Sequence, residues 1–354
     1  MKVDWAIKAN GKDVTANFRP YLISINVTDA TASETDSASI MLDNSRDSLE
    51  PPVQGDELEI FMGYDGVLYS VGQFTVDKAT FSGPPDMMTI SCRPAQFVQT
   101  EQRKTEQSFA DKKTRSWEPS TVLLIAEKIA AEHGVELVTS QRFALQGLVT
   151  PHLDQQAESD LLFLSSRLDN RGWFVKVGRD KLIIQQKSYG LGVNARTGEK
   201  IPPVTIRRSD VSSYSGEWSD IAVFDKAIAG WYDPEAGSTE YETAGTGNRV
   251  FQFVNLAPSQ EVAQEWAKNV LTRSAGQGGR FSMSMAGRTD LQCEQVVTLL
   301  DFPYPLSVTP SKLAIAKEWV IKQVDLSMSS GGFTTSISGQ PYVPPPASNE
   351  TPSA

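Results

Sequence analysis

The chain has 354 residues, 40% of them apolar and 21% charged, and its 33 basic residues against 43 acidic ones give a net charge of −10. This is the composition of an ordinary globular protein with room for two or three compact units, and it excludes a fibrous or wholly disordered chain. The acidic surplus argues against a surface built to grip nucleic-acid phosphates. No window approaches the length of a membrane span, and the opening residues MKVDWAIKANGKDV lack the apolar run of a signal peptide, so a cytosol-like compartment is expected.

The first hundred residues read as short strands. Tyr21 to Val27 places Ile23, Ile25 and Val27 on one face, and Ser37 to Leu42 repeats the alternation with Ala38, Ile40 and Leu42. The two runs are expected to pair as antiparallel neighbours across the polar stretch Thr28 to Asp36. Further strands are predicted at Glu57 to Met62, Val71 to Val76 and Met88 to Ser91, punctuated by Pro51-Pro52, Gly63 to Gly66 and Ser82-Gly83-Pro84-Pro85. Closely spaced strands with such punctuation favour a barrel or sandwich.

The texture changes after residue 100. Arg103, Lys104, Lys112, Lys113 and Arg115 are interspersed with Glu101, Glu106 and Asp111, the pattern of a solvated polar segment. Ser120 is the expected cap of a helix from Thr121 to His133 with Val122, Ile125, Ala126 and Ile129 at helical spacing and Gly134 as its stop. A second helix is predicted from about Gln156 to Asn170, ended by Gly172, and strands follow at Trp173 to Val177 and Lys181 to Gln185. Strand texture then returns at Val204 to Ile206, Ile221 to Ile228 and Val250 to Val254. One helix, Ser259 to Arg273, interrupts it with Ser259 as N-cap. A closing hairpin joins Trp319 to Leu326 with the alternating Phe333, Thr335 and Ile337. The Pro-rich end PYVPPPASNETPSA, residues 341–354, reads as a mobile tail that assembles no core.

The residues that carry chemistry are sparse. Cys92 and Cys293 are far apart and read as buried thiols; His133 and His152 have no partner at metal-ligand spacing, and His133 suits a helix end through its dipole. There is no GxSxG elbow and no phosphate-cradling glycine motif, so Gly190-Leu191-Gly192, Gly245-Thr246-Gly247 and Gly276 to Gly279 read as turns. Trp173, Trp218, Trp231, Trp266 and Trp319 are dispersed singly, as for core or interface packing. The reading therefore assigns no catalytic, cofactor-binding or metal-ligating residue and no cofactor.

Several segments, in order, resemble the phage late control protein D family: Asp13-Val14-Thr15, Tyr21 to Asp29, Glu34 to Asp43, Gly63-Tyr64, Gly72 to Val76, Ser82 to Ser91, Lys113 to Trp117, Gln155 to Leu164, Trp319 to Val324 and Gly332 to Thr335. The resemblance spans roughly residues 13 to 338. Asp301 to Lys317 departs from it, standing where the family has a short glycine turn. The resemblance implies a mainly β protein with an α/β insert (α+β): two tube-type antiparallel β-barrel domains and a small helix-containing domain. Its boundaries fall at 1–100 for the first barrel, 101–195 for the insert, 196–340 for the second barrel with one helix, and 341–354 for the tail.

It further implies a non-enzymatic baseplate hub of a contractile tail, related to the N-terminal part of type VI secretion spikes. In this reading a homotrimer with pseudo-sixfold symmetry joins the hexameric tail tube to the spike trimer, contacts other baseplate proteins and possibly the tape measure protein, and neither reads DNA sequence nor inserts in a membrane. An acidic lumen that repels DNA is a further expectation. The competing readings are a peptidoglycan hydrolase, a carbohydrate-binding module and a secretion spike.

Overall fold

The computed structural model describes residues 2–30, 36–46, 49–93, 109, 111–139, 142–150, 152–169, 171–177, 181–186, 201–218, 223–303, 306 and 318–342. The first segment carries β1 (Val3–Ala9), β2 (Lys12–Asp13), the one-turn α1 (Thr15–Phe18), β3 (Leu22–Ala30), β4 (Ser37–Asp43), β5 (Glu57–Tyr64), β6 (Val67–Ser82) and β7 (Met87–Arg93). The middle carries β8 (Lys112–Trp117), β9 (Ser120–Thr121), α2 (Val122–Glu132), β10 (Glu136–Val138), α3 (Arg142–Gly147), β11 (Val149–Thr150), β12 (Leu153–Ser159), α4 (Asp160–Asp169), β13 (Trp173–Val177) and β14 (Lys181–Gln186). The last segment carries β15 (Val204–Arg207), β16 (Val211–Trp218), β17 (Lys226–Asp233), β18 (Ser238–Gly245), β19 (Val250–Gln252), α5 (Gln260–Gln277), β20 (Gly279–Ala286), β21 (Val296–Leu300), β22 (Glu318–Ser329) and β23 (Gly332–Pro341). The protein is mostly strand with few helices.

A 13-stranded sheet joins the two ends of the chain, in the order β16-β20-β23-β22-β3-β4-β7-β6-β5-β1-β2, with β21 and then β15 continuing from β22. The join is β22 against β3, antiparallel, with Gln323 opposite Ala30 and Ser329 opposite Ser24. On either side of the join the strand order recurs. Read in the same direction along the sheet, β3-β4-β7-β6-β5-β1 matches β16-β20-β23-β22-β21-β15; chain order agrees throughout, and only the direction of the last strand in each set differs. There β1 runs antiparallel to β5, whereas β15 runs parallel to β21. The long strand of each set is bulged where it turns from one neighbour to the next, at Asp77 in β6 and Lys322 in β22.

Alternation explains both faces of this sheet. Ile25, Val27, Ile40, Ile60, Met62 and Ile90 turn inward with Met283, Val297, Trp319, Ile321, Val324 and Ile337, and all belong to one apolar core that crosses the join. Ile23, expected beside Ile25, falls instead at a register irregularity between β3 and β4 and is only half-buried. The opposite face of the strands around the join carries hydroxyls and amides such as Asn26, Thr28, Ser39, Ser91, Ser282 and Ser338. It carries charges of both signs, among them Asp43, Asp325 and Glu217 and Lys78, Arg93 and Arg280, and Arg93 pairs with Asp77 at 3.3 Å.

The middle segment has its own core, in which Trp117, Val122, Ile125 and Ile129 meet Leu164, Leu168, Trp173, Val175 and Ile184. A third, smaller core lies where α5 crosses the sheet β18-β17-β19, with Ala227 and Ala229 against Ala263 and Ala267; small residues let the helix lie close.

Several expectations are corrected. The cap of α2 is Thr121, not Ser120: the helix begins at Val122, one residue later than expected, and the Thr121 Oγ1 accepts the Leu124 N–H. The second helix starts at Asp160, not near Gln156. Residues 153–159 pair with β8 instead, and Ala157 takes a left-handed φ of 50° within their bulge, which no helix accommodates. Helix α5 runs on to Gln277, beyond the expected end at Arg273. Strand β17 begins at Lys226 rather than Ile221; residues 219–222 lie outside the described residues, as do residues 101–108, 187–200, 307–317 and 343–354, on which the expected tail and Gly190-Leu191-Gly192 fall. Lys112, Lys113 and Arg115 belong to strand β8; Lys112 is exposed as expected, but Lys113 and Arg115 are not solvated, for a reason given below.

Candidate functional site: fastening clusters and open sheet edges

Two ionic clusters hold the middle segment together and fasten it to the sheet. In β13, Trp173, Val175 and Val177 face the segment's own core, so period-two alternation turns Lys176 the other way. Its ammonium donates to Asp29 at 2.7 Å and to the Ala30 carbonyl at 3.0 Å, and lies 2.9 Å from Asp36. The second Asp29 oxygen accepts the Cys293 N–H at 2.8 Å. Three distant stretches of chain thus meet at one carboxylate. Burial alone pushes the Lys176 ammonium's pKa down, but the charges of Asp29 and Asp36 outweigh it and raise it. Burial, reinforced by the neighbouring Asp29 charge, pushes Asp36 up to about 6 against the pull of Lys176. At the other end of β13, Arg171 pairs with Glu265 of α5 at 3.1 Å.

The second cluster surrounds Asp160, whose side chain is 0% exposed. Lys113 at 2.5 Å, Arg115 at 2.7 Å, His133 Nε2 at 2.8 Å and Gln155 Nε2 at 2.8 Å converge on its two oxygens. Burial pushes this carboxyl up, but the hydrogen bonds from His133, Lys113 and Gln155 and the charge of Arg115 hold it well below the usual carboxylate range. Four donors saturate the carboxylate, so it holds α4 onto β8 and β12 and leaves no oxygen for a substrate. This is why Lys113 and Arg115 are not solvated.

His133 was read as a helix-end residue, and it does cap α2, but its ring is buried on Phe109 with a centroid separation of 3.8 Å. His152 is exposed, 3.3 Å from Asp154. Cys92 and Cys293 are both buried free thiols, as expected, and burial raises the pKa of each. The signal for Lys176 was present in the sequence: a single cation inside the apolar strand WFVKV.

The remaining feature is the pair of open edges. Among the described residues no strand lies outside β16, and none lies beside residues 77–82 of β6 on the side where β5 covers residues 67–75. Unpaired edges of this length recruit another strand.

A family model described as phage tail baseplate hub (GPD) matches residues 108–332. The probable baseplate hub protein of Escherichia phage P2 is 27% identical to this chain, covering 94% of it and 92% of the phage protein. Among solved structures, the 43 kDa tail protein of prophage MuSo2 from Shewanella oneidensis has a TM-score of 0.67 at 15% identity, over 96% of this chain and 98% of that one. The c3393 protein of E. coli, a component of the type VI secretion system, has a TM-score of 0.54 at 12% identity over 95% and 77%. The two structural likenesses concern fold. The family match covers well over half of the chain, and with it the chain belongs to the phage tail baseplate hub (GPD) family.

Proposed function

We propose that this protein is the structural hub of a contractile-tail baseplate, a homotrimer that joins the hexameric tail tube to the trimeric central spike and starts tube assembly. The observation that carries this reading is the recurrence of one strand order on both sides of the β22–β3 join. Two similar tube-type barrel units per chain, residues 1–100 and 196–340 around the insert 101–195, make a ring of three chains present six similar units to a sixfold tube while its threefold symmetry suits a spike trimer. The function needs no catalytic group, cofactor or metal. Its partners are further copies of the chain, the spike, the tube protein, other baseplate proteins and the tape measure protein, and its place is the virion baseplate, assembled in the host cytoplasm.

In this reading the polar face of the joined strands lines the ring. That lining is rich in Ser and Thr and carries charges of both signs, so DNA would pass a surface made largely of hydroxyls. The test is the solution mass by light scattering, alone and with the spike protein. A threefold mass in either sample is expected; a monomer in both overturns the reading.

A further inference from the structure

We propose that neighbouring copies of this chain join through a single antiparallel seam, β16 of one copy beside residues 78–82 of β6 in the next, with Thr80 opposite Glu217. The inference rests on the ring reading and deepens it to a register.

The register comes from the chain's internal correspondence. One residue past the bulge in β6, the rung Lys78, Ser91, Ser39, Asn26 crosses β6, β7, β4 and β3. One residue past the bulge in β22, the rung Gln323, Ser338, Ser282, Ser215 crosses β22, β23, β20 and β16. Residues 78–82 therefore stand where residues 323–327 stand, and β16 stands where β3 stands. The second pair of strands is already joined, as β22 and β3; the corresponding pair, β6 beyond its bulge and β16, is the pair of open edges. Carrying the observed register across puts Ala79 opposite Trp218, Thr80 opposite Glu217, Phe81 opposite Gly216 and Ser82 opposite Ser215.

Strand direction, polar chemistry and packing all agree with this. Direction alternates along β16-β20-β23-β22-β3-β4-β7-β6, so the two outer edges run oppositely. A copy rotated about an axis along the strands then offers its β6 to β16 in the antiparallel sense, and the contact is heterologous, as ring closure requires. At the observed join, Thr28 donates its hydroxyl to Asp325 at 2.7 Å. At the inferred seam the same hydroxyl and carboxylate recur with sides exchanged, as Thr80 and Glu217, and Lys78 stands diagonal to Glu217 on the same face. Phe81 corresponds to Leu326, which is 7% exposed at the join, yet Phe81 is 54% exposed in the single chain. Its partner across the seam is Gly216, beside which the Leu306 side chain lies, so the ring meets an apolar neighbour there.

The test places Thr80→Cys and Glu217→Cys in one full-length chain and treats the purified protein, with the spike protein where the threefold mass requires it, with a short bifunctional thiol reagent. Denaturing gels are expected to show covalent dimer and trimer from the double variant and only monomer from either single variant. A displaced pair, Thr80→Cys with Ser213→Cys, is expected to cross-link at least tenfold less. If the mass is threefold but the displaced pair cross-links better, or E217C alone gives dimer, the seam is wrong and the ring stands. If the mass is onefold with and without the spike, the ring reading fails and takes the seam with it. As an independent variant, Phe81→Glu is expected to leave the melting curve of the separate chain unchanged and to weaken assembly at least tenfold; unchanged assembly overturns the seam.

Discussion

Asp36 and Lys176 are worth little as isolated letters in the sequence and a great deal as neighbours. Lys176 sits in a strand whose every other member is buried, and removing one partner of such a cluster strands the remaining charges away from water. The raised pKa of Asp36, about 6, fixes the sign of its pH effect. The folded state holds a proton that the unfolded state releases near the ordinary carboxylate value. The stabilisation from this group is therefore fully present below that value and is lost as pH rises through about 6. Asp36→Asn does not titrate. The stability difference between the native protein and D36N, measured by urea unfolding, is expected to shift in favour of the native protein as pH falls from 7 to 5. No shift across that window would mean that Asp36 is not held as described. The lone cation in WFVKV was legible in one dimension but its partners were not, because Asp36, Asp29 and Lys176 are brought together only when the middle segment docks; the basic run around Lys113 likewise looked solvated until Asp160 was placed against it.

Elements were legible where their signal is local. The hairpins β3–β4, β6–β7 and β22–β23 and the helices α2, α4 and α5 all follow from period and punctuation, since a strand's alternation or a helix's stripe is complete within a dozen residues. Boundaries were not. Residues 153–159 have helix-compatible side chains, Gln155, Gln156, Ala157 and Glu158, and became a strand because β8 offered a partner, a tertiary override of propensity. Strand β1 was missed although Trp5 and Ile7 alternate inward, because its polar partners resemble a solvated terminus. The cap of α2 gives an element-scale prediction. Thr121→Ala is expected to cost about 1 kcal/mol in chemical denaturation, whereas Ser120→Ala, one residue earlier and outside the cap, is expected to cost well under half as much. Equal costs would return the cap to Ser120.

The whole molecule is organised by the join. Because one core runs through the strands on both sides, the first and last hundred residues are expected to unfold as one unit despite their separation in the chain. Ile25→Ala, deep in that core, is expected to cost about 2–5 kcal/mol and to lower hydrogen-exchange protection in β3 and in β22 and β23 together. Loss confined to β3 would show that the two sides are separate cooperative units. By itself the sequence determined the mainly β character, the mixture of helix and strand in the middle segment, the three main helices and the family, because alternation, capping and ordered local motifs are properties of contiguous residues. Only the tertiary structure decided which strands are neighbours, that the two ends share a core, where the buried charges meet and which edges stay open, because those depend on contacts between residues hundreds of positions apart.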